Sequence, residues 1–300
     1  MKKKIVYARL LFFILLLHTN LYPISMVYNF RIAQITKQPI HEEDGTVKNH
    51  TLIALAFEQA REKRNHIFQN YAGGLGSYIY DFKPYYFRID GAFSNIKEVK
   101  NGLTTLSGTE TDDVLFTAGR NFIINKKTRW TFSGLFGIPT HRIYTLQHSD
   151  FGFSQIGLGI QFDGGTELDR QAGLLYGARY IHFVPRKALD SLNVPHTFTI
   201  GNIADLLIAY KNNWDKKHGI ESGYTLRFRF GAHISPNLDD IVKKTNYIRS
   251  NFYIVYKYRF IWNDTYNRIL YYLSYGFDHK PRLYGNKYIV TLWVSWNISF

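Results

Sequence analysis

Tyr288-Ile-Val-Thr-Leu-Trp-Val-Ser-Trp-Asn-Ile-Ser-Phe300 carries two interleaved sets of side chains. Counted back by twos, Phe300, Ile298, Trp296, Val294, Leu292, Val290 and Tyr288 are all apolar, with aromatics at both ends. Ser299, Asn297, Ser295, Trp293, Thr291 and Ile289 are mostly small and polar. Successive side chains of a strand point to opposite faces, so period two is a strand signal and not a helix signal. A soluble strand usually runs ~5–6 residues, whereas a strand that crosses a bilayer needs ~9–11. This run meets the second requirement.

The pattern recurs upstream. Over 247–262, Ile248, Phe252, Ile254, Tyr256, Tyr258, Phe260 and Trp262 oppose Arg249, Asn251, Tyr253, Lys257 and Arg259. Over 224–234, Tyr224, Leu226, Phe228, Phe230, Ala232 and Ile234 oppose Thr225, Arg227, Arg229, Gly231 and His233. Segments 128–138 and 85–94 repeat the arrangement, with Arg129 and Arg88 on their polar faces. A soluble protein hides its apolar face. A barrel in lipid turns that face outward and keeps a polar lumen, and it must close because lipid offers no partner to a strand edge.

Link lengths give an independent test. Short links fall at 125–127, 164–169, 212–217 and 263–265, rich in Asn, Asp and Gly as tight turns require. Long links fall at 99–110, 139–150, 184–196, 235–246 and 279–286, alternating with the short ones. Membrane barrels sort links in this way, with short periplasmic turns and longer external loops.

Strands are expected at 84–98, 111–124, 128–138, 152–163, 170–183, 197–211, 218–234, 247–262, 266–278 and 287–300. Segments 49–60 and 67–81 supply two more, although Phe57-Glu-Gln-Ala-Arg-Glu-Lys-Arg64 has helical composition. The expected fold is therefore all-β: a transmembrane antiparallel up-and-down barrel of about 12 strands over 49–300, with ten as the alternative. Arg120 strains this assignment, because it shares the lipid-facing parity of Phe116, Ala118 and Phe122. It must reach toward the periplasmic side, or the strand must slip there.

Met1-Lys-Lys-Lys4, Arg9 and the apolar run Leu10–Leu17 have the form of a secretory signal, expected over 1–25. Residues 26–48 are then a periplasmic or lumen segment; 27–36 alternate and could add a strand. Past the signal, no apolar run approaches the ~18 residues of a spanning helix. The 300 residues contain no cysteine, which excludes disulfides and thiolate metal sites. An aromatic content of 17% excludes a disordered chain.

The chain after about residue 49 resembles a Gram-negative outer-membrane β-barrel. Phe300, Ile298 and Trp296 resemble the C-terminal signal that such proteins show to the barrel-assembly machinery. Phe132-Ser-Gly134-Leu-Phe-Gly137-Ile-Pro139-Thr140, followed by Gly157-Leu-Gly159, resembles the strand–loop–strand rhythm of outer-membrane transporters grouped with phenol-degradation operons. The first resemblance implies location in the bacterial outer membrane, with its lipid and the assembly machinery as partners. The second implies solute uptake.

Polar-face parity places Arg88, Arg129, Arg179, Lys211, Arg227, Arg229, Arg249, Lys257, Arg259 and Arg268 in the lumen. Fewer acids join them: Asp90, Asp163, Asp205 and Glu221. Rings of Arg and Lys favour anions in a pore. Arg227, Arg229, Lys257 and Arg259 fall on neighbouring strands and form the candidate anion site. The alternative is a salt-bridge network with Asp90, Asp205 and Glu221 that fills a closed barrel.

A net charge of +14 ordinarily suggests nucleic acid, but here the basic residues alternate into a lumen behind an export signal. Common hydrolase, zinc-protease and phosphate-loop motifs are absent. His141, His148, His182 and His196 have no metal-ligand spacing, and Asp239-Asp240 offers too few oxygens for calcium. The expected function is a pore or transporter for small anionic or amphipathic solutes, with no cofactor, no metal and no catalytic residue. A structural or surface-interaction barrel with a filled lumen is the alternative. An outer-rim hydrolase, assembled for example from His141, Ser149 and Asp150, stands third. Oligomeric state is open.

Overall fold

A computed structural model describes residues 50–64, 67–82, 84–100, 103–111, 113–139, 155–189, 195–199, 201–231, 233–235, 247–279 and 288–299. The strands are β1 His50–Arg64, β2 Ile67–Phe82, β3 Tyr85–Lys100, β4 Leu103–Thr111, β5 Val114–Ile123, β6 Thr128–Ile138, β7 Gly157–Glu167 and β8 Ala172–Phe183. They continue with β9 Arg186–Leu189, β10 Pro195–Thr199, β11 Asn202–Asn213, β12 His218–Phe230, β13 His233–Ser235, β14 Tyr247–Trp262, β15 Thr265–Asp278 and β16 Tyr288–Ser299.

Twelve of these form one antiparallel ring: β1, β2, β3, β5, β6, β7, β8, β11, β12, β14, β15 and β16, each paired with the next. The ring closes where β16 pairs back with β1, with Thr51 opposite Ser299 and Lys63 opposite Tyr288. No strand of the ring is left with a bare edge, as hydrocarbon demands. Strand β4 pairs the outer part of β3, so it prolongs the course of β5 past the level of β6. Strands β9, β10 and β13 make a separate small sheet at the end where the longer links lie.

The expected strand number is therefore observed, and β6 and β14 have the expected bounds. His50–Arg64 is a strand paired with both β16 and β2, in keeping with the expected segment 49–60, and the helical composition of 57–64 is overridden. Some link bounds differ: β7 runs to Glu167, and β9 lies within 184–196. The supposed long loop 99–110 is mostly strand, with only 101–102 between β3 and β4. The segments 1–25 and 26–48 and the terminal Phe300 lie outside the described residues.

Burial alternates along the strands. In β6 the order from Thr131 to Ile138 is strictly buried then exposed. Phe132, Phe136, Ile160, Leu206, Ile208, Phe252, Ile254 and Leu273 project outward and are exposed, while Ser133, Gln161, Asp163, Arg179, Asp205 and Ser295 are buried inside. In a bilayer the cover of these outward apolar side chains is acyl chain.

The short turns share one end, and three are built alike. Asn125 Oδ1 accepts from the backbone N–H groups of Lys127 and Thr128, both at 2.8 Å. Asp169 Oδ1 does so from Gln171 at 2.7 Å and Ala172 at 2.6 Å. Asp215 Oδ1 does so from Lys217 and His218, both at 2.6 Å. These donors favour the charged carboxylate, so the pKa of Asp169 is lowered by Gln171 and Ala172, and that of Asp215 chiefly by His218. The β14–β15 hairpin instead has Asn263 and Asp264 at φ 47° and 56°, the left-handed pair of a type I′ turn.

An aromatic band marks the same end. Trp262 stacks on Trp296 at 6.3 Å, and Trp296 Nε1 donates to Asn267 Oδ1 at 2.9 Å. Trp130 Nε1 donates to Tyr176 Oη at 2.9 Å, and Trp214 lies 6.3 Å from Tyr256. Amphipathic rings of this kind suit a membrane–water boundary. Arg120 lies in this band. Its guanidinium sits 5.5 Å over Tyr85 and 5.1 Å over Phe122, beside the β2–β3 turn. The β5–β6 register runs past it unbroken, so the strand does not slip.

Candidate functional site

The inner wall of the ring is the candidate site. Strand parity brings all ten expected basic residues onto it. Arg88, Arg179, Lys257 and Arg268 are buried. Arg129, Lys211, Arg227, Arg229, Arg249 and Arg259 are half-buried. The expected partners Asp90, Asp205 and Glu221 are buried too. Three inward carboxylates join them: Asp163, which strand parity marked, and Asp81 and Asp113, which lie near the ends of the expected segments 67–81 and 111–124.

Asp205 and Glu221 are each met from neighbouring strands. Asp205 on β11 faces Arg179 on β8 and Arg227 on β12 in direct register. Arg179 Nη2 and Nε reach Asp205 Oδ2 at 2.7 and 3.0 Å. Arg227 Nε reaches Asp205 Oδ1 at 2.7 Å. One carboxylate thus holds two guanidinium groups. The same register row continues through Gln161 on β7 and Ser133 on β6 on one side, and Arg249 on β14 on the other. Gln161 Nε2 donates to both oxygens of Asp163, at 2.9 and 2.7 Å.

A second group lies toward the turn end. Glu221 accepts from Lys257 Nζ at 2.5 Å and from Tyr253 Oη at 3.1 Å. Tyr253 stacks on Tyr272 at 5.4 Å and lies against Gly223, where a Cβ would come within 2.5 Å of its ring. A third group joins Arg88 and Ser77 to Asp90, with Arg88 Nε at 2.7 Å. Three of the expected quartet have these partners: Arg227 pairs with Asp205, Lys257 with Glu221, and Arg259 Nη2 donates to Asn213 Oδ1 at 2.5 Å; Arg229, the fourth, is half-buried on the same wall.

Apolar side chains face inward as well, beyond the Tyr253, Trp293 and Ile289 that parity places there. Ile79, Leu115, Leu175, Ile181, Phe183, Ile203 and Val255 are buried among the charges. Val255 sat on the polar parity of 247–262 and was visible there.

At the loop end, Ser250 Oγ lies 2.5 Å from His279 Nε2 and 2.6 Å from Tyr224 Oη. Ser250 is buried, and its hydroxyl is engaged by both neighbours. His182 Nδ1 lies 2.8 Å from Asn202 Oδ1. His141, His148, Ser149, Asp150 and Asp239-Asp240 lie outside the described residues, as does the side chain of His196.

No family model matches the sequence, and no curated protein is similar to it. Solved structures share the fold. The COG4313 outer membrane channel from Pseudomonas putida F1 superposes with a TM-score of 0.68 at 10% identity, covering 85% of this chain and 96% of the channel. A FadL homologue from Pseudomonas aeruginosa superposes with a TM-score of 0.51 at 8% identity, covering 92% of this chain and 96% of the homologue. The fold is that of the outer-membrane β-barrels, and the outward apolar side chains suit a lipid surround.

Proposed function

We propose that the chain, carried out by the signal at 1–25, is an outer-membrane channel that passes small anionic or amphipathic solutes through a basic lumen. The observation that supports this most is the inner wall of the ring, where basic side chains outnumber buried carboxylates among the described residues. Among the described residues, the ten expected basic residues share the inner wall with six buried carboxylates, Asp81, Asp90, Asp113, Asp163, Asp205 and Glu221. Fixed positive charge in a narrow, water-filled passage raises the local concentration of anions and repels cations. In this reading the short turns face the periplasm.

The test is planar-bilayer conductance of the refolded protein, with the reversal potential read across a salt gradient. Steady steps with anion preference are expected, and Arg227→Glu should move the reversal potential toward cations. A silent protein that still shows heat-shifted gel migration would overturn the open channel.

That outcome would favour a filled barrel with a structural or surface-interaction role. The inward apolar residues and the Tyr253–Tyr272 stack support this second reading.

A further inference from the structure

Arg268 is buried on the inner wall near the turn end, four positions into β15. Among the described residues, its Nε and Nη2 have no hydrogen-bond partner. The same is true of the amide nitrogen and oxygen of Asn297 and the hydroxyl of Ser295. All three residues are at least nine-tenths buried, at 6%, 2% and 1% exposure. They are contiguous: Arg268 stands opposite Asn297 in the β15–β16 register, and Ser295 stands opposite Leu270 one inward step along. Arg259 stands opposite Arg268 on the other side and adds positive charge. The nearby acid Glu221 is engaged by Lys257 and Tyr253.

A buried guanidinium without a partner is costly, and so is a buried amide. Nε and Nη2 form one edge of the guanidinium, and that edge matches the two oxygens of a carboxylate. The Asn297 amide and the Ser295 hydroxyl supply two further donors. We infer that Arg268, Asn297 and Ser295 form a binding site for the carboxylate group of a small solute near the periplasmic mouth. The inference deepens the channel reading and rests on solute reaching the lumen.

The test is calorimetric titration of the refolded full chain in detergent with sodium citrate, sodium acetate and inorganic phosphate. Sodium chloride at matched ionic strength serves as control. Folding of each variant is checked by heat-shifted migration. Citrate or acetate should bind in preference to phosphate. Arg268→Gln should weaken binding about ten- to a hundredfold, the scale of a lost charge-assisted pair. Arg268→Lys, which keeps the charge and loses the fork, should fall between. Arg120→Gln, on the outer face, should bind as the parent does.

Equal binding by the parent and Arg268→Gln, or no binding by a folded parent, would overturn the site. So would preference for phosphate. Conductance without Arg268-dependent binding removes the site and leaves the channel. Arg268-dependent binding in a protein that conducts nothing removes the open channel and leaves the site.

Discussion

Asp205 shows how much a single side chain carries here. Its charge compensates Arg179 and Arg227 together, so removing it leaves two cations on a wall where they were placed as a triad. Asp205→Asn should destabilise the folded barrel by about 3–5 kcal/mol, the cost of breaking a buried pair from one side. Urea unfolding in lipid vesicles, followed by tryptophan fluorescence, measures it. A change under about 1 kcal/mol would mean that the lumen hydrates the arginines as well as the carboxylate does. Gly223 acts by its lack of a side chain. Gly223→Ala puts a Cβ into the ring of Tyr253 and should displace that ring from Glu221, at about 1–3 kcal/mol. Loss of near-ultraviolet circular dichroism at unchanged strand content would report the displacement. Parity in the sequence was enough to put Arg179, Arg227 and Asp205 on one face. It could not pair them, because the pairing depends on register between β8, β11 and β12, and register is set by turns as much as by pattern.

The turns are the elements on which acid acts. Asp169 and Asp215 have pKa values lowered below the ordinary 3.8 by the backbone N–H groups they hold. A depressed carboxylate pKa adds stability that is fully present above the unfolded value and is lost as pH falls through the folded one. The β7–β8 and β11–β12 turns should therefore loosen below about pH 4, while the β5–β6 turn, held by the uncharged Asn125, should not. Amide exchange at His218 and Ala172, compared with Thr128, measures this. Asp215→Asn should make the β11–β12 turn insensitive to acid. Equal acid loosening of all three turns would count against the carboxylates as its source. Such turns were legible because Asn, Asp and Gly cluster between long alternating runs. Strand β4 was not: Leu103-Thr-Thr-Leu-Ser-Gly-Thr-Glu-Thr111 alternates weakly. It continues beyond the outer end of β6, past the level where the lipid-facing parity is written. Strand β1 was ambiguous for a different reason, since pairing on both sides outweighs the helical composition of 57–64.

For the whole molecule, closure rests on the β16–β1 pairing. A chain lacking 288–300 loses that strand and leaves β1 and β15 with bare edges. In lipid those edges have no partner, so the truncated chain should give no heat-shifted band and no protease-resistant core. A resistant barrel from that chain would show that β1 and β15 can pair directly. The outward aromatic band and the ring itself were visible in the alternation of the sequence. The inward apolar residues are less legible, because the lumen mixes polar and apolar side chains on one face.

The seam also has a topological consequence. Apart from β16 with β1, every neighbouring pair in the ring follows in chain order, and Thr51 lies directly across from Ser299. The ring is cyclic in connectivity as well as in shape, so which strand comes first is arbitrary. A circular permutant that joins residue 299 to residue 50 by a short linker, and opens the chain within the link at 139–156, keeps every strand beside the same two neighbours.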